Sequence, residues 1–173
     1  MNIKKYVLAI TAAALSVSAF AYPAPQDEDA TQQLLQQYTA QMQELQKSFD
    51  KNLLPPIKAT AQLALEVQDA NQEELTAQQE KQLEEYGKQL DTALTKLVAP
   101  ALKDVDMGQV NEQAKQIAKA YNLPEQEVTL ENLTDLMKGM YLMSAISYFE
   151  QTKKLTQEEV AVLAEILFPQ EEE

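Results

Sequence analysis

The sequence predicts an all-α fold: a single-domain bundle of five or six amphipathic helices around a central apolar helix at about 130–152. Three observations lead there. From about residue 29 onward, apolar residues recur three and four positions apart, the spacing of one helix face. No stretch alternates apolar and polar as a half-buried strand does, and no Asn-Gly or Asp-Gly hairpin turn occurs. Only three glycines are present, and prolines or capping residues punctuate the helical segments.

The chain opens with Lys4 and Lys5, a charge-free run YVLAITAAALSVSAF, and the small residues Ala19 and Ala21. This is the three-part order of a secretory signal peptide, with cleavage expected after Ala21. The run is too short to persist as a membrane span. Residues 1–21 are therefore expected to be removed, making the product periplasmic or secreted. Without cysteine there is no site for lipoprotein processing and no disulfide, so stability must come from apolar packing. Residues 22–30 read as a flexible leader, 31–168 as the helical bundle domain, and 169–173 as a disordered acidic tail.

The first helix is expected from about Asp29 to Leu54, with Leu34, Leu35, Tyr38, Met42, Leu45, Phe49 and Leu53 on one stripe. Pro55 and Pro56 should stop it, because proline lacks the N–H that continues the ladder. A second helix starts at the prolines and runs to about Ala70. The third begins at LTAQQ, where Thr76 and Gln79 have capping-box spacing, and continues through Leu83, Tyr86, Leu90, Leu94 and Leu97 to Pro100. A fourth, from about Met107, aligns Val110, Ala114, Ile117 and Tyr121 and stops at Asn122 and Pro124. The fifth starts at Thr129, where Val128 and Leu133 are placed as a hydrophobic staple. The sixth starts at Thr156, with Glu159 completing a capping box and Leu155 facing Val160 as a staple; it ends at Phe168 and Pro169.

The fifth helix contains LMKGMYLMSAISYF at 136–149, which is apolar on every side. Between Lys138 and Glu150 it is too short to cross a membrane, which takes roughly 20 apolar residues. It reads as the buried axis of the bundle. The alternative is that one side faces a partner, and Met137, Met140, Tyr141, Met143, Tyr148 and Phe149 are the candidate partner-binding residues. Methionine is unbranched and polarizable, which suits adaptable surfaces as well as cores.

The formal net charge is −13, and loss of Lys4 and Lys5 with a signal peptide makes it more negative still. Nucleic acid and anionic lipid are thus disfavoured as partners. Every basic residue is lysine, and arginine, histidine and tryptophan are absent along with cysteine. No Ser-His-Asp or Cys-His arrangement can form, and the usual zinc ligands are missing. DVDMG at 104–108 begins like a calcium loop, but Gly108 falls at position five and Lys115 at twelve, where glycine at six and glutamate at twelve are needed. No glycine-rich phosphate loop occurs. No cofactor or metal is expected. Glu80, Glu84 and Glu85 share a turn and could in principle serve a carboxylate-dependent hydrolase of envelope polysaccharide, but they oppose the apolar stripe of their helix.

LTAQQ at 75–79 resembles the LTxxQ signature of the Spy/CpxP group of small helical periplasmic chaperones. LTQEE at 155–159 is similar to it, with Glu159 in place of glutamine. The resemblance spans about ten residues and implies a chaperone-like role, although this chain is acidic where the Spy client-binding cradle is positive. The leading expectation is an exported, non-catalytic helical protein that binds other proteins, chaperone-like or an envelope assembly accessory. The rivals are the hydrolase and a self-associating structural protein, so the partner is an unknown protein or the chain itself.

Overall fold

A computed structural model describes residues 28–72 and 74–167. They form an all-α fold with no strand among them, as the sequence predicts. In order the elements are α1 (Glu28–Ser48), a π-helical turn (Phe49–Leu53), α2 (Leu54–Asp69), α3 (Ala77–Leu102), α4 (Met107–Ala120), α5 (Leu130–Gln151) and α6 (Gln157–Leu167). The expected signal peptide, most of the leader, the Phe168-Pro169 stop and the acidic tail lie outside the described residues. Among those described, no helix is long and apolar enough to cross a membrane.

Helix starts follow local chemistry. The Thr76 hydroxyl accepts from the Gln79 N–H, and the Gln79 side chain accepts from the Thr76 N–H at 2.8 Å. Thr156 and Glu159 repeat this reciprocal pattern. Both LTxxQ-like stretches are therefore capping boxes, which satisfy N–H groups that the first turn leaves without partners. Asp106, inside the calcium-like run, instead caps α4 by accepting from the N–H groups of Gly108 and Gln109. Three helices end in the left-handed turn that returns two amides to the last carbonyls. Asn71, Asn122 and Lys153 occupy the positive-φ position, at 47°, 53° and 57°. Asparagine tolerates this conformation; lysine does so at greater expense.

The prolines act differently from the expected stop. Pro55 and Pro56 have no N–H, and each ring would collide with the carbonyl four residues earlier. The turn before them widens, so that the Leu54 N–H donates to the Phe49 carbonyl five residues back. The prolines then occupy the first turn of α2, where no donor is required. Helical backbone thus passes through the expected break. Pro100 likewise lies within α3, which continues to Leu102.

The described residues fall into two compact units, one within Met1–Tyr38 and Leu97–Met140, the other within Thr39–Lys96 and Tyr141–Glu173. In the first, Val110, Ala114, Val128 and Leu133 form the core, with Leu102, Val105, Met107 and Met137 packed against it. Asn111 fastens the segment before α5: its Oδ1 accepts from the Val128 N–H at 2.7 Å and its Nδ2 donates to the Val128 carbonyl at 3.0 Å. In the second, Phe49, Leu53, Ile57, Ala61 and Leu63 are buried with Leu142, Ala145, Ile146 and Phe149 of α5 and Leu155, Val162 and Leu163 at α6. There α2 packs along α6.

The apolar surround of α5 has a specific origin. Its first half buries Leu133 and half-buries Leu136, Met137 and Met140, a stripe on one side of the helix. Its second half buries Leu142, Ala145, Ile146 and Phe149, centred about 180° further round at about 100° per residue. Two ordinary amphipathic stripes in succession add up to a helix that looks apolar all round. It is accordingly not buried on every side: Met143 is 58% exposed.

Candidate functional site

The six residues nominated from the sequence divide by environment. Met137 packs against the core of its unit and stays half-buried, and Met140 is also half-buried. In the other unit, Phe149 is fully buried, because it lies at the centre of the α5 stripe that closes the core. Tyr141 meets the Phe49 ring edge-on at 6.3 Å, and Tyr148 is tilted against both Phe49 and Phe149. Met143 alone of the six projects mainly into solvent.

Tyr148 belongs to a polar cluster that sequence reading did not find. Its hydroxyl donates to Asp50 Oδ2 at 3.2 Å, and Lys154 donates to both Asp50 Oδ1 and the Tyr148 oxygen. The Lys154 ammonium also lies 4.9 Å from the Tyr148 ring centre, over its face. Hydrogen bonding to Asp50 pushes the Lys154 pKa up, against a smaller opposing effect of desolvation. The ammonium is therefore held in its charged form and is a poor candidate for a nucleophile or base. The cluster joins the turn after α5 to the π-helical turn; Asp50 sits in that turn because the prolines widen it. Asp50 is about a hundred residues from Tyr148 and Lys154 in sequence, so no local pattern announces their meeting.

The carboxylates weighed for hydrolysis are all exposed on α3. Glu84 pairs with Lys88 one turn on, and the hydrogen bond from Lys88 lowers its pKa. Glu85 accepts from Gln89 at 3.1 Å. A catalytic acid needs its pKa raised, the opposite of what Glu84 experiences. Among the described residues, no three His, Cys, Asp or Glu side chains converge as a metal site.

Among the described residues, α1 carries a row of exposed apolar side chains. Leu35 is 64% exposed, Tyr38 61% and Met42 37%, at spacings of three and four on one face. Further along the same stripe Leu45 is half-buried, and Phe49 and Leu53 are buried. The sequence marks this stripe as apolar throughout, but not where its burial ends. Isolated exposed apolar residues are normal on any protein, whereas a helical row of them is a surface able to bind.

No family model, curated protein or solved structure matches this chain.

Proposed function

We propose that this is an exported, non-catalytic helical protein that binds other proteins, acting as a chaperone-like or assembly accessory factor of the cell envelope. The observation that carries the reading is the exposed row Leu35, Tyr38 and Met42 on α1. A helix offering apolar residues at i, i+3 and i+7 presents the anchor spacing used in helix-in-groove recognition. Support comes also from the chemistry of the chain, which has no histidine, cysteine or arginine with which to build the common catalytic sites. Export rests on the signal-peptide pattern of residues 1–21.

The test is suppression of aggregation. Unfolded clients are diluted into buffer with equimolar purified protein and light scattering is followed. Wild type is expected to reduce scattering, and a Leu35→Glu, Tyr38→Glu double variant to lose most of that protection while keeping its helical circular dichroism. Absence of protection across several clients would sink the reading.

A further inference from the structure

We infer that the two compact units open independently, the one containing Leu97–Met140 first, and that α3 and α5 break near Pro100 and Gly139 when it does. The other unit stays folded while this one is open. Such an opening uncovers Val110, Val128 and Leu133 without releasing Phe49 or Phe149. It does not depend on what α1 binds.

Burial sets the order. The unit of Leu97–Met140 buries Val98, Val110, Ala114, Ala118, Val128 and Leu133, with no buried aromatic ring among its described residues. Of these only Leu133 is larger than valine. The other unit encloses Phe49, Leu53, Ile57, Phe149 and Leu163 almost completely. Stabilisation grows with the apolar area withdrawn from water, so a core of valine and alanine holds its helices less firmly.

The shared helices supply the breaking points. α3 and α5 each run through both units, and α5 changes its buried face on passing from one to the other. For one unit to open alone, each of these helices must end partway. Gly139 stands next to Met140, the last residue of its unit. A Cβ there meets nothing within 4 Å, so packing does not require a glycine. Glycine nonetheless weakens a helix interior more than any residue except proline. In α3 the division falls between Lys96 and Leu97, and Pro100 has no N–H to give the Lys96 carbonyl. Both helices thus carry a weak point where an opened segment can stop. α1 also crosses the division, but Leu35 to Glu44 are all exposed there, so parting it sacrifices no burial.

Hydrogen exchange of the purified full chain, followed amide by amide, reads the opening of each unit. In wild type the Ala114 and Ala118 amides should exchange at least about tenfold faster than those of Ala61 and Ala145. Along α5, amides before Gly139 should follow α4. The step to slow exchange should be complete by Ala145, whose N–H in a helix donates to Tyr141. Val110→Ala should speed exchange in α4 and leave Ala61 and Ala145 unchanged, and Ile57→Val should do the reverse. Gly139→Ala should carry slow exchange to earlier residues of α5, whereas Gly87→Ala, inside the other unit, should leave the step in place. One level of protection through both units overturns the inference, and the wild-type protein alone can show it. So does a Val110→Ala variant that loses protection everywhere to the same extent, whether or not it still folds. A step that Gly139→Ala does not move overturns the assignment of the break in α5 to that glycine.

Discussion

The two ends of the α1 stripe carry the same pattern and meet opposite fates. Phe49 and Leu53 are buried against α2 and α5, while Leu35 and Tyr38, about two to three turns before Leu45 and of similar character, stand in solvent. Amphipathic spacing says which face a helix would bury; it does not say that anything is there to cover it. Coverage requires another element within reach. At the inner end the widened turn before Pro55 and Pro56 sets Phe49 and Leu53 among side chains from α2, α5 and α6.

The comparison is sharpest in truncation experiments. Leu53→Ala removes a fully buried side chain and should destabilise by about 2–5 kcal/mol, because the site collapses only partly around the void. Leu35→Ala should change stability by less than about 0.5 kcal/mol. Urea denaturation of the two variants measures the contrast, and equal effects would mean that Leu35 is covered in solution.

A smaller effect is expected on the solvent side of α3. A side chain added at Gly87 meets nothing within 4 Å, and the residue sits in mid-helix. Gly87→Ala should stabilise by about 0.5–1 kcal/mol, chiefly by restricting the unfolded chain. Thermal melting checks it; a destabilisation would show that this exposed face packs against something.

The smallest effect concerns the clasp at the buried end. The pKa of Lys154 is raised in the folded protein, so its contribution is complete below the ordinary lysine pKa and fades as pH rises through the raised one. Folding stability should therefore fall more steeply above pH of about 10 in wild type than in Lys154→Met. The two should run parallel below about pH 9. The pair is a third exposed, so screening keeps its contribution small. Identical alkaline slopes would show that Asp50 and Lys154 do not hold one another in solution.

Much of the architecture was legible because it is local. Thr76, Thr129 and Thr156 start helices by bonding residues three positions on, and the partners stand in the same short stretch. The staple residues Val128 and Leu133 are both buried as expected. Other features required residues distant in sequence. The prolines could be recognised as breakers, but whether the chain stops or widens one turn depends on what holds the flanking residues. Burial of Phe49 and Leu53 beside that turn belongs to the answer. The opening out of α5 into two successive stripes escaped notice because each half serves a different core, and a single wheel superimposes them. Of the candidate surface, Met143 was found in the open and Phe149 in the core, although both read as large apolar residues of one helix.

The sequence by itself determined the class of fold, the places where helices begin, the acidity, and the chemistries the chain lacks. Each depends on residue type or on neighbours within a few positions. Tertiary structure alone decided that Asp50, Tyr148 and Lys154 meet, and that the apolar stripe of α1 is covered at Phe49 and open at Leu35. Those outcomes depend on which surfaces arrive at the same place, and burial is a property of the pair of surfaces rather than of either one.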